Sequence, residues 1–170
     1  MKQIQPRAGW GRWVSTVLAM LFVLVCSTLV CSPAWANDYT KEILLNADFA
    51  GQDLRDSSFT KANLKNTTFQ GANLQGVSFF GANLEDTNLE GANLAIATLD
   101  SARLVQANLT NAILEGAFVA SAQFQGATIT GADFTDVDFR EAVLADLCKV
   151  ADGTNPVTGR KTRDTLHCDD

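Results

Sequence analysis

The chain has 170 residues, 46% of them hydrophobic and 19% charged, with 19 acidic against 13 basic residues and a net charge of −6. That balance excludes the phosphate-gripping mode of nucleic-acid binding, which needs lysine and arginine to displace counterions, so no direct nucleic-acid binding is expected. One histidine and four scattered cysteines leave little material for a metal or catalytic centre, and neither a metal nor a cofactor is expected.

Residues 1–36 have the layout of an export signal. Lys2, Arg7 and Arg12 form a basic start, an uncharged apolar run follows from Val14 to Val30, and Ala34-Trp35-Ala36 supplies a small-x-small cleavage pattern. Cleavage after Ala36 is expected, which leaves no stable membrane anchor; the rival reading is an uncleaved anchor, for which the 17-residue run is just long enough. All 19 acidic residues follow Ala36 but only 10 of the basic ones do, so the exported part carries 10 − 19 = −9.

Residues 37–48 read as an N-terminal cap, with Tyr39, Ile43, Leu44 and Leu45 as its apolar residues and its conformation left open between a helical turn and an imperfect first repeat. From Phe49 to Phe139 a large apolar residue then recurs at every fifth position for 19 units without an insertion. Two places before these centres 13 of the 19 residues are Ala; just before them ten are Asn or Asp; two places after them eight are Gly.

Neither regular element has this period. A five-residue step rotates a helix by about 140° and scatters the centres around its axis, while an odd period sends them to alternating faces of a strand. The chain must therefore turn once per unit. Four units close a square coil of about 20 residues, and coils stack at the strand spacing of about 4.8 Å, so that residues 49–140 form a rod of about five coils. Centres and small residues point inward, and the other three positions face water. Asn, Asp and Gly suit corners where side chains bond the backbone or φ becomes positive. Stacking at twenty places Lys65 under Glu85 and Asn66 under Asp86.

Outward positions that carry large apolar residues are the exceptions: Phe80, Ile96, Val105, Ile113 and Phe118. Phe80 and Phe118 flank centres of one side of the coil, whereas Ile113 and Ile96 belong to the preceding side, with Ile96 at its corner. Phe80, Ile96, Ile113 and Phe118 are therefore a candidate partner patch along one edge. The plainer alternative is that they are scattered or covered by a terminal segment. Outward carboxylates such as Glu85, Asp86 and Glu90, and the lone His167, read as solvated surface groups.

Residues 141–170 leave the register. Val143, Leu144, Leu147 and Val150 fall at helical spacing with Gly153 as a stop, which predicts a short helical cap from about Glu141 to Ala151. Cys148 and Cys168, the two cysteines left after export, are expected to form a disulfide. Its loop of about 21 residues is worth roughly 3 kcal/mol in the chain-entropy model. A zinc site is the rival, and it lacks further ligands.

The repeated A(N/D)LxG units resemble the pentapeptide-repeat proteins, and this resemblance implies an all-β solenoid, a right-handed quadrilateral β-helix. The tail GTNPVTGRKTRDTLHC, the signal and the opening ADFAGQDL resemble the exported thylakoid-lumen pentapeptide-repeat proteins of cyanobacteria and chloroplasts. The signal, the disulfide and a closed core that leaves no pocket, together with this resemblance, point to a non-enzymatic structural or protein-interaction module in the thylakoid lumen or periplasm, a monomer that binds an unknown protein partner through side faces of the rod. The alternative is an acidic DNA mimic, similar to the pentapeptide-repeat proteins that protect DNA gyrase. The export signal argues against it, because gyrase is cytoplasmic.

Overall fold

The computed structural model describes residues 36–168. Residues 1–35 of the expected export signal, including Ala34, lie outside them, and Ala36 is their first residue.

The fold is a ladder of parallel bridges, each joining a residue to the one twenty places on, from Asp38↔Ser58 to Ile113↔Asp133. Four units make one coil. Side A has the inward centres Tyr39, Phe59, Phe79, Leu99 and Val119; side B has Leu44, Leu64, Leu84, Leu104 and Phe124; side C has Phe49, Phe69, Leu89, Leu109 and Ile129; side D has Leu54, Leu74, Leu94, Leu114 and Phe134. Nearly all of these centres, and the small residues two places before them, are buried.

In an interior coil four of the five backbone N–H groups of a unit have a backbone acceptor, which explains the residue preferences. At Phe59 the centre donates up to Ser78 O (2.7 Å) and the corner residue Lys61 to Phe80 O (2.8 Å). Ala62 closes the corner onto Phe59 O (3.0 Å), and in the coil above Ser78 donates down to Ser57 O (3.0 Å). The fifth N–H, just after the centre, is left for a side chain. Asn83 Oδ1 accepts it from Glu85 (3.2 Å), Asn88 from Glu90 (3.1 Å) and Asn108 from Thr110 (3.1 Å). A short polar residue before the centre thus completes the backbone accounting. The same amides also bond between coils, as Asn83 Nδ2 does to Asn63 Oδ1 (3.2 Å).

The N-terminal cap continues this register. Asp38 and Ile43 bridge to Ser58 and Asn63, Lys41 and Asn46 turn corners with φ of 64° and 55°, and Tyr39 stacks on Phe59 with ring centroids 4.7 Å apart. Tyr39 and Leu44 therefore face inward, whereas Ile43 and Leu45 are exposed. Of the expected charge stacking, Lys65 Nζ does meet Glu85 (3.0 Å), but it also reaches Asp86 (3.5 Å), and Arg103 closes on Glu85 from above (3.2 Å).

After Phe139 the chain enters helix α1, Glu141–Cys148. It stops three residues short of the expected end, because Gly131 N–H donates to Asp152 O (2.7 Å) and Cys148 is bonded to Cys168, which together draw the chain back to the last coil. Leu147 is buried and Val143 and Leu144 pack on the core, but Val150 is 56% exposed and is not a core residue. A second short helix, α2 (Thr162–Thr165), places the Thr165 hydroxyl as acceptor for Phe134 N–H (3.1 Å).

Between the helices, Thr154 and Lys161 pair antiparallel around a loop whose Asn155 is fully buried. Asn155 Nδ2 donates to the carbonyls of Gly131 (2.9 Å), Asn111 (3.1 Å) and Ala112 (3.3 Å), and its Oδ1 accepts from Val157 and Thr158 N–H (2.9 and 3.1 Å). Asn155→Ala strands these buried groups and should cost about 3 kcal/mol, read as a lower urea midpoint with an unchanged slope.

Candidate interaction surface

The four apolar residues of the sequence-derived patch occupy distinct places. Phe118 stands before centre Val119 on side A, above Thr98, and is 59% exposed. Phe80 follows centre Phe79 on the same side, 43% exposed, with its carbonyl accepting from Lys61. Ile96 turns the corner between sides D and A and is 53% exposed. Ile113 on side D is half-buried, bridged to Asp133 above it.

Ile96 and Phe118 are linked through Gly116. A Cβ on Gly116 would lie 3.5 Å from Ile96 Cγ2, so the glycine lies against the isoleucine. Gly116 and Phe118 in turn line a shallow hollow of 290 Å³ with Asp100, Ala120, Asp136 and Asp138. Phe80 lies outside this hollow. The surface is therefore an exposed Phe and Ile beside three carboxylates, with a second Phe farther down side A.

Ile96 is also unfavourable where it sits. Its φ is +53°, in the left-handed region where a β-branched side chain is an outlier. The corresponding corners of side D elsewhere are Asp56, Gly76, Gly116 and Asp136, residue types that tolerate this region better. The isoleucine thus costs free energy in its backbone and again in its hydration. Ile96→Gly is expected to raise stability by about 0.5–1 kcal/mol, the balance of relieved strain and glycine's larger unfolded-state entropy, measured by urea denaturation.

The neighbouring part of side D is held by a cluster that sequence reasoning missed. Arg160 of the tail reaches Glu115 (2.8 Å), Asp133 (3.2 Å) and the Thr135 hydroxyl (2.9 Å). Asp133 is fully buried and also accepts from the Thr135 hydroxyl (2.6 Å) and N–H (3.0 Å). Burial alone pushes its carboxyl up. The bonds from Thr135 and Thr158 and the Arg160 charge together outweigh it and hold the group below its ordinary value. The only hint in the sequence was an Asp at a position where Asn or Asp fills ten of the 19 units, which by itself indicates a turn.

A carboxyl depressed in the folded state stabilises it above the unfolded pKa, and that contribution is lost as pH falls through the folded value. Stability should therefore drop below about pH 4. Asp133→Asn should be less stable at pH 7 and show a smaller acid-induced drop, checked by urea midpoints for both proteins across this range.

Among the described residues no group of three or more His, Cys, Asp or Glu is arranged to hold a metal ion, and no helix is long and apolar enough to cross a membrane. His167 is exposed at the edge of a polar cleft with Arg160, Lys161 and Asp164.

The sequence matches the family model for pentapeptide repeats, in eight copies, over residues 43–79, 78–116 and 120–148. Among solved structures, a pentapeptide-repeat protein from the Arabidopsis thaliana thylakoid lumen is 47% identical with a TM-score of 0.73, over 74% of this chain and 88% of that one. HetL, a pentapeptide-repeat protein involved in heterocyst differentiation regulation from the cyanobacterium Nostoc, is 27% identical with a TM-score of 0.45, over 56% and 48% of the two chains. QnrB1, a plasmid-mediated fluoroquinolone resistance protein, is 17% identical with a TM-score of 0.33, over 61% and 74%. Comparison with curated proteins returned no match.

Proposed function

The chain belongs to the pentapeptide-repeat family, and from that premise we propose that it is a non-enzymatic interaction module of the thylakoid lumen or periplasm. It binds a protein partner through side A and the adjoining D–A corner. In this reading the rod is a right-handed quadrilateral β-helix of about five coils, closed by α1 and the disulfide-tied tail.

The observation that carries the proposal is Ile96, an exposed isoleucine in a left-handed corner. Strain kept at a surface position that folding does not need is a pointer to use. Beside it, the exposed Phe118 among Asp100, Asp136 and Asp138 gives the partner a chemistry: an apolar anchor flanked by lysine or arginine. The location is supported by the leader-like residues 1–36, the Cys148–Cys168 bond and the lumenal source of the 47% identical relative. A DNA mimic fits less well, because the acids of this surface stand around exposed Phe and Ile where an imitation of a duplex calls for uninterrupted charge.

Phe80→Ser and Phe118→Ser, each at an exposed position outside the core, should leave the urea midpoint nearly unchanged. Used as bait in lumenal extract with the disulfide intact, both should lose a partner that the parent protein retains. The proposal fails if both variants keep the full set of partners.

A further inference from the structure

The parallel ladder ends abruptly on sides B and C. One coil lower, Leu104, Gln106 and Leu109 N–H donate to the carbonyls of Gln123, Gln125 and Thr128 (2.8, 2.9 and 2.8 Å), and Ala102 and Ala107 carbonyls accept from Gln123 and Thr128 N–H (3.0 Å each). The equivalent groups of the last coil are the N–H of Phe124, Gly126 and Ile129 and the carbonyls of Ala122 and Ala127. They have no partner among the described residues. Val119 and Ser121 N–H on side A likewise have no partner among the described residues, but there the chain from Phe139 turns up into α1, while at the C–D corner Gly131 N–H is taken by Asp152 O and on side D Phe134 N–H by Thr165.

Directly beside this unpaired edge is a groove of 490 Å³ between the last coil and α1, lined mainly by Phe124, Ala127, Val143, Leu147 and Val150, with the exposed Asp146, paired to Lys149, also in its lining. An apolar groove next to a free strand edge has the parts of a site for strand addition, in which main-chain bonds hold the strand and a pocket reads alternate side chains.

We propose that side B of the last coil binds an extended segment of a partner protein, which adds as one more strand parallel to residues 122–127. The ladder below fixes its register. A partner residue over Gln123 donates its N–H to Ala122 O and accepts from Phe124 N–H, and the residue two places on accepts from Gly126 N–H. The residue between them lies over Phe124 with its side chain in the groove against Leu147 and Val143, so it is apolar and uncharged. A second rod stacked end to end is not accommodated, because α1 and the Asn155 loop already occupy the other part of this end. The surface is separate from side A and stands whether or not side A binds a partner.

The test uses 15N-labelled protein with its disulfide intact and, as probe, the synthetic peptide Ser-Ala-Gln-Phe-Gln-Gly-Ala, which copies the residues that cover the equivalent edge one coil down. Saturable downfield shifts at the Phe124 and Gly126 amides, with their hydrogen exchange slowed about tenfold, are expected. A peptide methylated on the nitrogen of its first Gln should bind about tenfold more weakly, the equivalent of about one backbone hydrogen bond. Val150→Glu, at an exposed position that folding does not need, should weaken binding by a similar factor. The proposal is overturned if those amides do not respond up to millimolar peptide or if the methylated peptide binds equally well, which would mark an apolar small-molecule groove. It is also overturned if the amides become protected in the peptide-free protein as its concentration rises, which would mark a second copy.

Discussion

The structure depends on one backbone constraint: every corner from Lys41 to Asp136 is turned by a residue of positive φ. A four-residue turn with positive φ at its third position meets the type II requirement and reverses the direction of the carbonyls. The residue after the corner can then close onto the preceding centre, as Ala62 does onto Phe59 (3.0 Å), while the centre itself donates to the next coil. Four such corners consume twenty residues, and that number sets which residues stack. A single insertion would shift Asn83 off Asn63 and Leu84 off Leu64 together, removing amide bond and core contact at once. The unbroken register from Phe49 to Phe139 follows from this coupling, since no unit can drift alone.

A stack of coils has two open ends, and this chain closes them by different physics. At the N-terminal end the apolar cross-section is covered by rings. Tyr39 lies flat on Phe59, Phe49 on Phe69 (5.1 Å), and Phe49 and Phe59 meet edge to face (5.6 Å). Aromatic contacts of this kind add about 0.5–1.5 kcal/mol each beyond the area they bury. At the C-terminal end the exposed strand edge matters more, because N–H and carbonyl groups lose water without gaining partners when something apolar is laid over them. Asn155 answers that need on side D with one amide that serves three carbonyls, and the Cys148–Cys168 bond keeps the surrounding loop from leaving.

The five-residue period was enough to place the centres, the small residues and the corners, because each is a local requirement repeated many times. The cap at Tyr39 and Leu44 was ambiguous for the opposite reason. Ile43 and Leu45 flank Leu44 with apolar residues at outward positions, so the pattern that separates inside from outside disappears there. Ile113 was legible as an outward position but not as a half-buried one, since its environment depends on Asp133 and on a tail more than forty residues away. Asn155 and Arg160 escaped altogether. An Asn before Pro reads as a turn, and nothing local indicates that its amide reaches residues 24, 43 and 44 places back. The paired charges were half legible: stacking at twenty predicts Lys65–Glu85, while Arg103–Glu85 is a diagonal contact that only side-chain length allows.

This division of labour also locates where recognition can arise. The core uses the centres and the residues two before them, and the ladder uses the backbone with help from the short polar side chains. Apart from Lys65, Glu85, Glu115 and Thr135, most residues just after the centres and most side chains at corners make no contact that holds the fold, so changes there act on partners more than on folding. Ile96 breaks that separation. As a corner residue it must adopt positive φ, and as an isoleucine it does so at a cost that Asn, Asp or Gly would largely avoid. A surface residue that lowers stability while contributing nothing to the core is hard to account for by folding alone. The acids around Phe118 make its setting more specific than a chance apolar exposure, because they favour a cationic partner while the hollow between them admits an apolar one.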